Sequence, residues 1–209
     1  VTDLTFYTNP QSRGQIVRWM LEEVGEPYET VILDYATTLK GPEYLAVNPM
    51  GKIPTLRHRG KVVTEVAAIC CYLADAFPAA GLAPALEDRA DYYRFMFFAS
   101  GPIEAAFSNK AAGWEPTPER QRMFGYGNFD LAINTMEQML TGRTYVCGDR
   151  FTAADLYVGS QLGFMMMFGL LEPRPVFRDY VARLTDRDAY KRAKAIDERA
   201  AEEMKAAAQ

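Results

Sequence analysis

At 209 residues, with 49% apolar and 24% charged side chains, the chain has room for one large or two small domains and the make-up of a soluble globular protein. Its 23 Lys and Arg against 27 Asp and Glu leave a net charge of −4, which argues against the concentrated basic face of a nucleic-acid binder. No apolar run approaches the ~18–20 residues that span a bilayer, and the opening Val1–Tyr7 has neither region of a secretory signal, so a cytoplasmic protein without a membrane partner is expected.

Leu4–Thr8 is rich in aromatic and β-branched residues and reads as a strand, broken by Asn9-Pro10-Gln11. Ile16, Val17, Met20, Leu21 and Val24 then share one helical face, and Gly25 stops the helix. Tyr28–Leu33 reads as a second strand, which completes a βαβ unit with a parallel crossover. A short helical piece follows around Pro42–Ala46. Ile53–Arg57 and Lys61–Val63 are apolar runs joined by His58-Arg59-Gly60, a hairpin signal that places His58 in an exposed turn. Glu65–Ala76 is a helix closed by Phe77-Pro78, with Cys70 and Cys71 inside it as small buried hydrophobes. The order predicts a small α/β domain over residues 1–80, its mixed sheet covered by helices.

A Pro-, Gly- and Ala-rich linker lies near Gly81–Glu87, and from there to residue 209 helical periodicity dominates, which predicts an all-helical second domain over 87–209. Glu87–Ala112 reads as one long helix kinked at Gly101-Pro102. Thr117-Pro118-Glu119 is a helix start, Thr152–Asp155 has the spacing of a capping box, and Asp186–Ala208 is a final charged helix. Phe164–Phe168 is an apolar run assigned to helix core. The three cysteines, Cys70, Cys71 and Cys147, have neither disulfide-framework nor metal-ligand spacing, and one histidine cannot build a His-rich metal site, so no protein-bound metal is expected.

Three pieces of the first domain carry chemistry. Tyr7–Gly14 runs from a strand end into a helix start, where free N–H groups and the helix dipole favour an anion. Ser12 there fits two roles, an N-cap or a hydroxyl that donates to a thiolate and lowers its pKa. Asn48–Leu56 contains Ile53-Pro54, which either opens an edge strand or leaves the Ile53 backbone free to pair with an extended peptide. Thr64–Ile69 opens another helix, whose amides suit a carboxylate while Glu65 suits an ammonium, although a first-turn Glu also serves the helix dipole alone.

In this order and spacing the three pieces resemble the cytosolic glutathione S-transferase family over essentially the whole chain. The resemblance is carried by Asn48-Pro49-Met50-Gly51-Lys52-Ile53-Pro54-Thr55-Leu56, by Glu65-Val66-Ala67-Ala68-Ile69, and by Gly148–Asp155 in the helical domain. Ser12-Arg13 before an amphipathic helix is similar to bacterial and fungal branches. The resemblance implies a thioredoxin-like first domain, a homodimer, and glutathione as co-substrate for conjugation to a small, largely apolar electrophile. It further implies a cis bond before Pro54, Ile53 against the cysteinyl backbone, Glu65 and the Val66 amide at the γ-glutamyl end, and Lys40 or Lys52 at the glycine carboxylate. Val66 stands where the family usually has Ser or Asp, which keeps the backbone donor and loses a hydroxyl contact, so a modestly weaker glutathione affinity is expected. Ser12, helped by Arg13, is the expected thiol activator, with Tyr7 and Asn9 as neighbours able to take that role. A glutathione-dependent disulfide reductase or peroxidase, or a non-catalytic binding protein, are the alternatives the same site allows.

Overall fold

A computed structural model describes residues 3–207; Val1 and Thr2 of the opening stretch and Ala208 of the expected last helix lie outside them. Strand β1 (Leu4–Thr8), helix α1 (Gly14–Val24) and strand β2 (Glu29–Ile32) form the expected parallel βαβ unit. Gly25 ends α1 in the left-handed conformation at φ 79°, its N–H donating to the Leu21 carbonyl at 3.0 Å. A 3-10 turn over Thr38–Lys40 and the single-turn helix α2 (Pro42–Leu45) follow. Strands β3 (Thr55–His58) and β4 (Lys61–Thr64) and helix α3 (Val66–Ala76) complete the set, and the four-stranded sheet has the order β2-β1-β3-β4. Only β2 runs parallel to its neighbour; the β1–β3 and β3–β4 pairs are antiparallel. Side chains alternate across the sheet: Phe6 lies under the Arg18 guanidinium of α1 at 5.1 Å, whereas Tyr7 packs on the opposite face against Leu33, Leu39 and Tyr44.

The hairpin corrects the expectation for His58. Its loop is only Arg59-Gly60, with φ of 50° and 70°, a two-residue connection with both central residues at positive φ. His58 is therefore the last paired residue of β3, opposite Lys61, and it turns toward α3 with Leu56. It is 4% exposed, its Nδ1 lies 2.9 Å from Tyr72 Oη, and its ring stacks on Phe77 at 5.3 Å.

The chain divides into two compact units, one gathering the described residues of Val1–Gly81 and Arg187–Gln209, the other Leu82–Asp186. Within the second, the expected long helix is α4 (Arg89–Phe98), a π turn over Ala99–Ile103, and α5 (Glu104–Ala111). The wide turn accommodates Pro102, which has no N–H to donate. Thr117-Pro118 starts only a 3-10 segment, Pro118–Met123, before the chain extends at Phe124. Helices α6 (Phe129–Leu140), α7 (Ala153–Met167) and α8 (Pro175–Thr185) follow. The capping box at Thr152 and Asp155 is formed in both directions. Of the Phe164–Phe168 run, Met165 is core, while Met167 and Phe168 at the helix end are exposed.

Helix α9 (Asp188–Ala207) packs on α1 in the first unit. Arg18 Nε donates to Asp197 Oδ1 at 3.0 Å with both side chains buried, Arg187 forks onto Glu23 at 2.6 and 2.8 Å, and Arg192 reaches Glu22 at 3.2 Å. Trp19 of α1 meets Tyr190 of α9 edge to face, with ring centroids 5.0 Å apart.

Candidate functional site

The register of the sheet gathers the three sequence pieces. Tyr7 of β1 pairs with Thr55 of β3, which pairs with Thr64 of β4. The chain leaves β1 and β4 at this end and enters β3 there, so Thr8–Ser12, Ile53–Pro54 and Glu65–Val66 fall on adjacent strand ends, roughly 5 Å apart per strand. Helices α1 and α3 both begin at the same end, which brings two helix N-termini to one rim.

Ser12 is half-buried; its hydroxyl donates to the Asn9 carbonyl at 2.7 Å and accepts from the Gly14 N–H at 2.9 Å. A Cβ on Gly14 would lie 1.9 Å from Thr8 Oγ1 and 2.9 Å from Ser12 Oγ, so the turn requires glycine. Asn9 is buried, with Nδ2 donating to the Leu33 carbonyl at 2.8 Å and Oδ1 accepting from the Gln11 N–H at 2.9 Å. The amide end ties the turn to Leu33 just past β2, and the carbonyl end braces the turn from within. Tyr7 is half-buried with its ring 5.6 Å from that of Tyr44, in a cluster that also contains Ile53. Arg13 is exposed and occupies the N-cap position of α1.

The Ile53–Pro54 peptide is cis. Neither the amide nor the carbonyl of Ile53 pairs with another backbone group among the described residues, which leaves both open to an added extended chain. Preceding residues are tied from behind: Tyr44 Oη and Asn48 Nδ2 both donate to the Lys52 carbonyl, and Tyr44 Oη also meets Thr55 Oγ1 at 2.8 Å. Burial raises the Tyr44 pKa, which keeps its phenol protonated and available as a donor. Lys52 is exposed, whereas the Lys40 ammonium donates to the Gly51 carbonyl at 2.7 Å and the Met50 carbonyl at 3.3 Å.

Glu65 is exposed at φ 65° and ψ 120°, and its side chain makes no capping hydrogen bond to α3. The amides of Val66, Ala67 and Ala68 have no backbone partner among the described residues, as the first turn of a helix dictates. One carboxylate beside open amides matches an α-amino acid terminus, whose ammonium and carboxylate have opposite requirements.

The rim therefore combines Ser12, Tyr7, Ile53, Lys52, Glu65 and Val66, whereas Asn9 and Lys40 are engaged inward. Sequence reasoning missed Tyr44 and Asn48, although Asn48-Pro49 before Gly51 is an Asx-turn signal, and Asn48 Oδ1 indeed accepts from the Met50 N–H at 3.1 Å. Two of the protein's three thiols are poor nucleophiles: burial pushes Cys147 up to about 11 and Cys70 higher still. In the helical unit, Phe107, Phe164 and Phe168 stack at 6.4 and 6.5 Å. A cavity of about 330 Å³ opens there between Phe98, Pro102, Phe124, Tyr126 and Leu131.

Two family models match, the glutathione S-transferase N-terminal domain over residues 12–76 and its C-terminal domain over 117–195. Among curated proteins the chain is similar to Glutathione S-transferase GST-4.5 of Xanthomonas campestris pv. campestris, 27% identical over 162 residues that cover 74% of this chain and 79% of that protein. Among solved structures it is similar to a glutathione transferase from Methylococcus capsulatus, at a TM-score of 0.77 and 27% identity, covering 93% of this chain and 98% of the other. A glutathione transferase homolog from Sulfitobacter, solved with bound glutathione, matches at a TM-score of 0.76 and 25% identity over the same shares, 93% and 98%. With both domain models matched, the α/β and helical units in place and the relatives so named, the chain belongs to the glutathione S-transferase family.

Proposed function

We propose that this protein binds glutathione at the rim of the first unit and stabilises its thiol as a thiolate for attack on a small, largely apolar electrophile. The observation that carries the reading is the register Tyr7–Thr55–Thr64, which aligns a hydroxyl at a helix start, an unpaired Ile53 backbone and a Glu65–Val66 helix start. Glutathione carries two carboxylates, one ammonium and an extended cysteinyl backbone. The α3 N-terminus and Lys52 suit the carboxylates, the α1 N-terminus suits the thiolate, Glu65 suits the ammonium, and Ile53 suits the backbone. The region 1–80 supplies this site, and the helical region 87–209, with its stacked aromatic rings, supplies apolar surface for the second substrate. A homodimer is the assembly proposed.

Ser12 is the proposed thiol activator. Its single O–H donates to the Asn9 carbonyl in the free protein. A thiolate is a charged acceptor, whose hydrogen bonds are roughly twice as strong as neutral ones, so rotation of the hydroxyl toward it is favourable. Lowering a thiol by about two pKa units takes roughly 2.7 kcal/mol. One such hydrogen bond together with the α1 dipole supplies an amount of that order. The engaged Ser12 hydroxyl equally supports a purely structural cap in a non-catalytic binding protein. An ultraviolet difference titration with glutathione near neutral pH separates the two. Saturable thiolate absorbance that Ser12→Ala abolishes supports activation; binding without ionisation leaves Ser12 as a cap, and absence of binding overturns the glutathione reading.

A further inference from the structure

We infer that Thr8 is a positioning residue for thiol activation: its hydroxyl holds the Asn9 carbonyl and so frees the Ser12 O–H to turn, an inference that rests on the thiolate reading above. Two hydroxyls converge on that one carbonyl, Ser12 Oγ donating at 2.7 Å and Thr8 Oγ1 at 3.3 Å. A carbonyl oxygen has two lone pairs and accepts both. The two donors differ in freedom. Thr8 ends β1 opposite Ile32, and its carbonyl accepts from the Leu33 N–H at 2.8 Å. Its side chain is fully buried and, being β-branched, stiff at χ1. Ser12 is half-buried in the turn that follows.

In the activation reading the thiol proton goes to water, and Ser12 keeps its own proton but turns it from the Asn9 carbonyl to the thiolate. The serine oxygen stays in place, because the Gly14 N–H donates to it at 2.9 Å. What opposes the turn is the carbonyl left behind. Asn9 is buried, and a buried acceptor stripped of its donor costs as much as the new bond contributes. The Thr8 hydroxyl removes that cost, since it already lies within reach of the same oxygen. By alternation along β1, Thr8 shares with Phe6 the face that α1 covers. Its hydroxyl sits against Gly14 at the start of α1, where an added Cβ would lie 1.9 Å from Thr8 Oγ1. Gly14 is helical, so the close approach of Thr8, rather than backbone conformation, calls for glycine there.

The test follows the ionisation of bound glutathione by its ultraviolet difference absorbance as pH is raised, with glutathione saturating. Thr8→Val keeps the shape of the buried side chain and removes the hydroxyl. It should raise the pKa of the bound thiol by about one unit, a roughly tenfold change in its ionisation. Thr8→Ser, which keeps a hydroxyl, should restore the parent value. In a Ser12→Ala background Thr8→Val should shift the pKa no further, because no serine O–H remains to be released. S-methylglutathione, which has no thiol to ionise, should bind the parent and Thr8→Val alike. An unchanged pKa in Thr8→Val overturns the inference. So does an equal shift in the Ser12→Ala background, or a lost affinity for S-methylglutathione, either of which makes Thr8 a support of the turn alone. A parent that leaves glutathione protonated or unbound refutes the activation reading itself and takes this inference with it, an outcome read from the parent before any variant.

Discussion

Glu65 lies at φ 65° and ψ 120°, a sparsely populated region for a residue with a Cβ. Such a conformation costs about 1–3 kcal/mol, and glycine, which escapes it, adds about 0.5–1 kcal/mol of unfolded-state entropy. Glu65→Gly should therefore stabilise the protein by about 1 kcal/mol while weakening glutathione at least tenfold, because the carboxylate proposed to face the ammonium is gone. Glu65→Gln keeps the strain and removes only the charge, so affinity should fall with the melting temperature unmoved. Calorimetric titration and thermal melts of both variants check this, and a Glu65→Gly protein that melts lower than the parent refutes the strain account. The residue types of the rim were legible in the sequence because each sits next to a strand end or a helix start. Their commitments were not. Asn9 and Ser12 look alike as turn residues, and only the fold shows that Leu33 and Gln11 engage both ends of the Asn9 carboxamide while the Ser12 hydroxyl can still rotate.

Between elements, His58 joins β3 to α3 and gives the first unit a pH dependence. Burial, with Arg59 beside it, lowers the His58 pKa, Asp3 opposes that shift weakly, and Tyr72 is the titratable neighbour on α3. The unfolded chain takes up its proton near pH 6.5, the folded chain only at lower pH. Stability is thus complete above about pH 6.5 and is lost progressively as pH falls below it, until the folded histidine also protonates. Urea midpoints of the parent should fall across this window, and subtracting the His58→Gln series should isolate the effect; parallel curves for the two proteins would remove His58 as its source. The sequence placed the hairpin but gave it a three-residue loop. A loop one residue shorter moves His58 from the turn into the ladder and fixes which face it takes, so a small error in boundary inverted its environment.

The capping box shows the opposite case, an element fully legible in sequence. Asp155 is fully buried; Oδ1 accepts from the Val146 N–H at 2.7 Å and Tyr180 Oη at 2.8 Å, and Oδ2 accepts from the N–H and hydroxyl of Thr152, both at 2.8 Å. Asp155→Ala strands these donors inside the helical unit at about 1–3 kcal/mol for each that water cannot reach, so a loss of about 3–5 kcal/mol is expected in urea unfolding. A loss under 1 kcal/mol would mean that the pocket floods and water replaces the carboxylate. Thr152–Asp155 was recognisable because capping is local, decided within four residues. The Val146 and Tyr180 contacts are tertiary and leave no mark on that spacing.

At the scale of the whole molecule, the C-terminal helix shows how far chain order can mislead. A charged amphipathic helix at residues 186–208 announces that one face needs a partner, not which element supplies it. In the fold that face meets α1, and Arg18 with Asp197 forms a buried pair at its centre. Burial raises the Asp197 carboxyl above its ordinary range even with Arg18 alongside, so desolvation outweighs the attraction between them. Such a pair is worth little against apolar replacements, yet breaking it leaves a charge without compensation. Asp197→Leu should accordingly destabilise the first unit by about 3–5 kcal/mol, and adding Arg18→Met should restore most of the loss. Because Trp19 packs on Tyr190, its fluorescence in a Trp114→Phe background reports whether α9 is seated. A red shift is expected in Asp197→Leu and its reversal in the double variant. Equal destabilisation of the single and double variants would show instead that Arg18 acts mainly through Tyr28, Thr30 and the Phe6 ring, with Asp197 only an accessory to that cage.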